Sequence, residues 1–449
     1  MLNIVGPASR LCDGNTRRGF LKVGALGMGG LSLPGLWLAQ SARGAAPVRD
    51  TAVIMFWMAG GPSHIDMVDM KPKAPDKIRG PFQPIATNLP GLDVCELMPR
   101  HASIANHLAV VRSMHHGYGI HDDAQHLVQT GHALPNARLR GQQQPAEGAV
   151  ASYLRGPNQP GMPAYVCVPE DYSTHMGFYQ SAVYLGARHN ALNAGGDPSL
   201  GNYRPPEFNL PQEMTVERLQ NRRGLLRRFD ELVRAGEQDG SLQALSDVQQ
   251  KAFDLVTGSS VRKAFDLSQE PAELRERYGK HAPGQSALMA RRLVEAGSTF
   301  VTINLYEKDV DWWDDHTTIE KNLRKRLPQY DQAFCTLIED LRDRGQLDRV
   351  LVLAWGEFGR SPQIDAGAGR GHWPRAMHAT LAGGGIRGGQ IIGSTTPDGG
   401  DPRDRPLVPG DMLASVYRVL GIDHDQFLTD RQNRPIRLVE QGQPIGELF

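Results

Sequence analysis

The chain reads as an α/β protein with a mostly parallel central sheet covered by helices on both faces. Two observations predict this. Apolar runs, the mark of strands buried on both sides, recur at Ala52-Val53-Ile54-Met55-Phe56-Trp57-Met58, Leu108-Ala109-Val110-Val111, Phe300 to Leu305 (broken by Thr302 and Asn304) and Val350 to Trp355. Between and beyond them lie stretches of helical period, near 98–106, 122–130, 146–155, 215–235, 242–256, 285–296, 319–344 and 410–420.

Composition bounds the function classes. The 449 residues, 40% hydrophobic and 22% charged, suit one large domain or two ordinary ones. The 50 Gly and 31 Pro are spread along the chain, which excludes coiled coil and collagen-like repeat and points to a loop-rich globular protein. Lys+Arg 49 against Asp+Glu 49 leaves no net charge, and no basic patch stands out, so nucleic acid is not an expected partner.

Taken in chain order, the first segment is an address. Thr16-Arg17-Arg18-Gly19-Phe20-Leu21-Lys22 opens a Gly-softened apolar stretch that ends in Ala42-Arg43-Gly44-Ala45-Ala46. Residues 1–46 therefore read as a twin-arginine signal peptide, and 47–449 as the mature domain. The expected location is periplasmic or extracellular, reached in the folded state through the twin-arginine export machinery. Membrane contact is expected only if the signal stays uncleaved. Gly-rich spacing and Pro34 argue against a spanning helix.

Further along, 186–212 is rich in Gly, Asn and Pro and reads as a long excursion. A helical cap is expected at about 213–283, and its Arg222-Arg223 and Arg227-Arg228 read as a solvated face. Gly383 to Gly388 matches a dinucleotide-loop spacing, but strand-like residues follow where a helix should open, so a glycine turn between two strands is the better reading. With Cys12 in the signal, Cys95, Cys167 and Cys335 remain, an odd number without C-x-x-C spacing. A metal would need His and carboxylate ligands.

Such ligands are abundant, and they sit after the predicted strands, where open α/β sheets bind their ligands. His64, Asp66 and Asp69 follow the first strand. His115, His116, His121, Asp122, Asp123 and His126 follow the second. Asp311, Asp314, Asp315 and His316 follow the third, and Glu357, Arg360, Arg370 and His372 the fourth. Imidazoles and carboxylates without thiolate suit Zn, Mn or Fe, with Mg or Ca where oxygens dominate.

The residues Gly60-Gly61-Pro62-Ser63-His64-Ile65-Asp66, Val111-Arg112-Ser113-Met114, Ala290 to Gly297, Trp313-Asp314-Asp315-His316, Gly356-Glu357-Phe358-Gly359-Arg360-Ser361-Pro362 and Gly369-Arg370-Gly371-His372-Trp373-Pro374 closely resemble the DUF1501 family of exported bacterial proteins. That family is itself similar to the sulfatase and alkaline-phosphatase superfamily. The resemblance runs essentially end to end and implies an alkaline-phosphatase-like α/β/α sandwich with a helical insertion. It also implies a divalent metal site, Zn first with Mn, Ca or Mg as alternatives, held by Asp66, Asp315, His316, Glu357 and His372. Phe358 stands where the superfamily's Asp-His dipeptide has its His, and His121 stands where sulfatases carry a Cys or Ser nucleophile.

The expected activity is hydrolysis of an anionic phosphate or sulfate ester, from a small molecule or a glycan, by metal-activated water. His64 or His121 would serve as base, Arg360 and Arg370 would neutralise charge on the ester oxygens, and Ser113 is the nearest hydroxyl. The alternative is a catalytically silent exported surface or binding protein that keeps the fold.

Overall fold

The computed structural model describes residues 50–135, 141–169, 180–203, 259–305 and 313–449. The signal segment, the helices expected at 215–235 and 242–256, and Asp311 lie outside these residues. Of the expected cap, the described part holds the short helices Ser259–Phe265 and Ala272–Tyr278. Among the described residues no helix is long and apolar enough to cross a membrane.

One sheet organises the fold. Its strands are β1 (Ala52–Trp57), β2 (Ala109–Met114), β3 (Tyr165–Val168), β4 (Leu192–Asn193), β5 (Phe300–Asn304), β6 (Val350–Trp355), β7 (Met377–Gly383) and β8 (Gln390–Ile392), in the spatial order β8-β2-β7-β6-β1-β5-β3-β4. Only β7 runs against its neighbours. The four apolar runs are β1, β2, β5 and β6. Three of them, β5, β1 and β6, lie side by side at the centre. There both faces are covered, so alternation of polar and apolar residues disappears.

Period two survives in the packing instead. Ile54 and Phe56 enter one core with helices α1 (Pro99–Ile104), α4 (Ala282–Ala296) and α5 (Ile319–Asp343). Val53, Met55 and Trp57 enter the other, with α2 (His121–Thr130), α3 (Glu147–Leu154) and α6 (Pro409–Val419). The result is a three-layer α/β/α arrangement.

The glycine turn at 383–388 does connect two strands. They are not a hairpin, however: β2 lies between them, antiparallel to β7 and parallel to β8. Two short strands, β3 and β4, had no clear period in the sequence, and β4 falls inside the excursion read at 186–212.

Burial also fixes charge states within this scaffold. His378, on the inner face of β7, is pushed down to about 3 by desolvation. His126 is pushed down to about 4 by the same cause. Its Nδ1 donates to the His132 carbonyl at 2.7 Å while Nε2 accepts from the Gln143 and Gln144 N–H groups, so every ring nitrogen is used by the neutral form. The unfolded chain takes up these protons below pH 6.5 and the folded chain does not. Stability therefore falls as pH falls from 6.5 towards 4, by about 2 kcal/mol per histidine at pH 5. Urea titrations across pH 5–7 should show this slope, and it should flatten in His378→Leu.

Candidate metal centre

Four rim loops meet at the carboxyl edge of the sheet. The loop after β1 reaches Gly60, whose φ of 103° leaves no room for a side chain, since a Cβ there would lie 2.5 Å from the Asp314 backbone nitrogen. That close approach, with the Trp313 N–H bonded to the Ala59 carbonyl at 3.0 Å, sets Asp314 over the end of β1. The loop after β2 delivers His121 as the first residue of α2. The loop after β6 carries Glu357 and then a two-residue ribbon, Gly359–Arg360 against His372–Trp373, which places His372 opposite Arg360.

Asp314 is the hub. Its Oδ1 lies 3.1 Å from His316 Nε2 and 3.1 Å from His372 Nε2, and its Oδ2 lies 3.3 Å from His121 Nε2. His316 Nε2 and His372 Nε2 are 2.9 Å apart. One ligand atom from each of His121, Asp314 and His372 falls within a 4.8 Å set. His121 Nε2 is buried, and its contact with Asp314 Oδ2 is an ion-pair approach rather than a well-directed hydrogen bond.

Glu357, fully buried, accepts from Gly60 N at 2.8 Å, His121 Nδ1 at 2.7 Å and Gln125 Nε2 at 3.3 Å, all at Oε1. The Arg360 guanidinium, also fully buried, reaches Asp314 Oδ1 at 2.5 Å and donates to the carbonyls of Gly60, Gly61 and Arg370.

Charge follows this geometry. Burial alone would raise the Asp314 carboxyl. The facing His121 and His372 imidazoles and the Arg360 guanidinium outweigh it and hold Asp314 well below the usual carboxylate range. Burial likewise pulls His121 down, but the facing carboxylates of Asp314 and Glu357 push it up to about 9. His316, half exposed, is lowered by desolvation and by the neighbouring Arg360, His372 and His121, against the pull of Asp314.

Of the residues singled out in the sequence, His121, His316, His372, Glu357 and Arg360 gather here. Asp66 does not. It is fully buried in a two-pronged pair with Arg370, Nε to Oδ2 at 2.7 Å and Nη2 to Oδ1 at 3.1 Å, and takes the Ser63 hydroxyl at 2.5 Å. Arg370 spends its remaining N–H groups on the carbonyls of Ser361, Pro362 and Ile78, so it faces no substrate space. Asp315 turns away from the hub to Arg326 at 2.5 Å and Asn322 at 2.9 Å, and burial pushes its carboxyl up.

His64 is buried, with Nε2 on the Gly399 carbonyl at 2.8 Å, and burial lowers it. Ser113 donates to the Arg405 carbonyl at 2.5 Å. Asp314 stands among the rim candidates in the sequence, but the expected ligand set takes Asp315 in its place. It precedes Asp315 directly, and adjacent aspartates in an irregular loop carry no period that tells which one faces the rim.

Two other ligand-type groups occur among the described residues. In the first, His101, Asp331 and Cys335 are buried together, and the Asp331 oxygens accept the Arg100 and His101 N–H groups at the start of α1. The second, Asp423, His424 and Asp425, is a largely exposed loop.

Fold and rim together define an α/β protein with a three-histidine, one-aspartate cluster at the carboxyl edge of its sheet. The chain belongs to the DUF1501 family, described as "Protein of unknown function (DUF1501)", whose model matches residues 50–449. No curated protein matches the sequence.

Similar solved structures include a phosphonate monoester hydrolase of Agrobacterium radiobacter, 11% identical, covering 88% of this chain and 78% of that one, with a TM-score of 0.39. The PsFucS1 sulfatase from Pseudoalteromonas sp. is 12% identical, covering 83% and 68%, at 0.36. The lipoteichoic acid synthase LtaP from Listeria monocytogenes is 12% identical, covering 84% and 73%, also at 0.36.

Proposed function

We propose that this protein is an exported metal-dependent hydrolase of phosphate or sulfate esters, with one divalent ion held by His121, Asp314, His316 and His372. A single observation carries the reading: three imidazole Nε2 atoms converge on one carboxylate, and one of them, on His121, is buried with only the Asp314 carboxylate, 3.3 Å away, to face. Buried polar atoms left unpaired are costly, and a cation between these groups would satisfy them together. Three nitrogens and one oxygen suit Zn foremost, with Mn next, and fit Ca or Mg poorly.

When bound, the ion would polarise the ester and acidify a water ligand. The chain's own residues do the rest. Arg360 anchors Asp314 and, with all its contacts spent on the protein, acts on the substrate only through that carboxylate. His316, at 49% side-chain exposure, marks the side from which an ester enters. Both oxygens of Asp66 are taken by Arg370, and Asp315 turns its Oδ1 to Arg326 and Asn322 rather than to the hub, which supports one ion rather than two. Export rests on the twin-arginine motif at Arg17 and Arg18. The ester class, from an anionic small molecule or glycan, rests on the family motifs around Asp66, Glu357 and His372.

The silent reading has one observation of its own: Arg360 and His121 already balance Asp314 without any ion. Elemental analysis of purified protein, paired with turnover of 4-nitrophenyl phosphate and sulfate before and after chelation, separates the two. About one bound metal per chain and chelator-sensitive turnover are expected. Metal without turnover supports the silent reading, and failure to bind any divalent ion sinks the metal site itself.

A further inference from the structure

We infer that Glu357 is a positioning residue and not a ligand: it fixes which nitrogen of His121 carries a proton and so aims Nε2 at the proposed ion, an inference that rests on the metal reading above. Glu357 stands behind the imidazole, on the side opposite Asp314. Its Oε1 meets Nδ1 at 2.7 Å while Nε2, across the ring, faces Asp314 Oδ2 at 3.3 Å. A carboxylate without a proton only accepts, so Nδ1 carries hydrogen whether the ring is neutral or charged. The ion then takes the Nε2 position.

The glutamate is itself held. The Gly60 N–H and Gln125, one helical turn beyond His121, bond to the same oxygen, and no part of the side chain is exposed. Three donors hold Oε1, the oxygen that faces His121, while Oε2 is buried without a partner of its own. His372 is aimed by the same device with a weaker acceptor. Its Nδ1 bonds the Gly119 carbonyl at 2.8 Å, which leaves Nε2 for the hub. The two histidines thus differ in what stands behind them, a carboxylate in one case and a peptide carbonyl in the other. A carboxylate partner raises the basicity of a ligating imidazole, so His121 is the stronger donor.

The test uses the full mature chain. Zinc titration calorimetry of wild type and Glu357→Gln should show affinity about 10–100-fold weaker in the variant. Histidine ¹⁵N spectra of the zinc-loaded wild type should show His121 ligated through Nε2 with a proton on Nδ1. Equal zinc affinity in E357Q, or ligation of His121 through Nδ1, overturns the positioning role while leaving the metal site intact. Wild type that binds no zinc overturns both. If E357Q does not fold, the wild-type spectrum alone decides.

Discussion

Asp314→Asn is expected to weaken zinc binding by about 10²–10³-fold in a protein that still folds. Metal sites of four protein ligands are worth about 10–16 kcal/mol in all, so each ligand carries about 2.5–4 kcal/mol. The amide keeps an oxygen for Arg360 to grip, but this fully buried guanidinium loses its carboxylate, so some stability is lost, less than where the acceptor is removed altogether. The informative control is the next residue. Asp315→Asn should leave zinc affinity within about twofold, because its carboxylate faces Arg326 and Asn322 rather than the hub. Calorimetry on the two variants therefore tests the geometry directly. If D315N loses the metal and D314N keeps it, the cluster described here is not the binding site.

That pair of adjacent aspartates also shows where sequence reasoning stops. Strands β1 and β6 were legible because a run without a polar residue can only be buried on both faces, and the loops after such strands converge at one edge. Hence His121, His316, His372, Glu357 and Arg360 could be placed on one rim from their positions alone. What the chain does not display is the partner of each charge. Asp66 looks like a ligand by motif, yet Arg370, three hundred residues away, takes both of its oxygens. Asp314 and Asp315 differ only by the backbone turn that points one outward, and this turn depends on Gly60 approaching from a distant loop. Strands β3 and β4 failed for a simpler reason, being too short for a period to show.

The Arg370–Asp66 pair yields the largest expected loss of stability. Asp66→Ala strands a guanidinium that is fully buried, and uncompensated buried charge of this kind costs about 3–5 kcal/mol. That is about a fifth or more of what a typical domain has to lose. Arg370→Met strands the carboxylate, whose remaining bond partner is Ser63, and should cost a similar amount.

The double variant, with Asp66→Leu and Arg370→Met, removes both charges at once and should be more stable than either single variant, so a cycle of urea titrations should report strong coupling. The reason to measure it bears on function. Arg370 lies two residues before His372 and ties that loop to the segment after β1, so the pair holds a ligand-bearing loop in place without touching the hub. Folded Asp66 variants should consequently still bind zinc. A variant that keeps its stability and loses the metal would make Asp66 a ligand, as the superfamily resemblance implies, and would require Arg370 to release it.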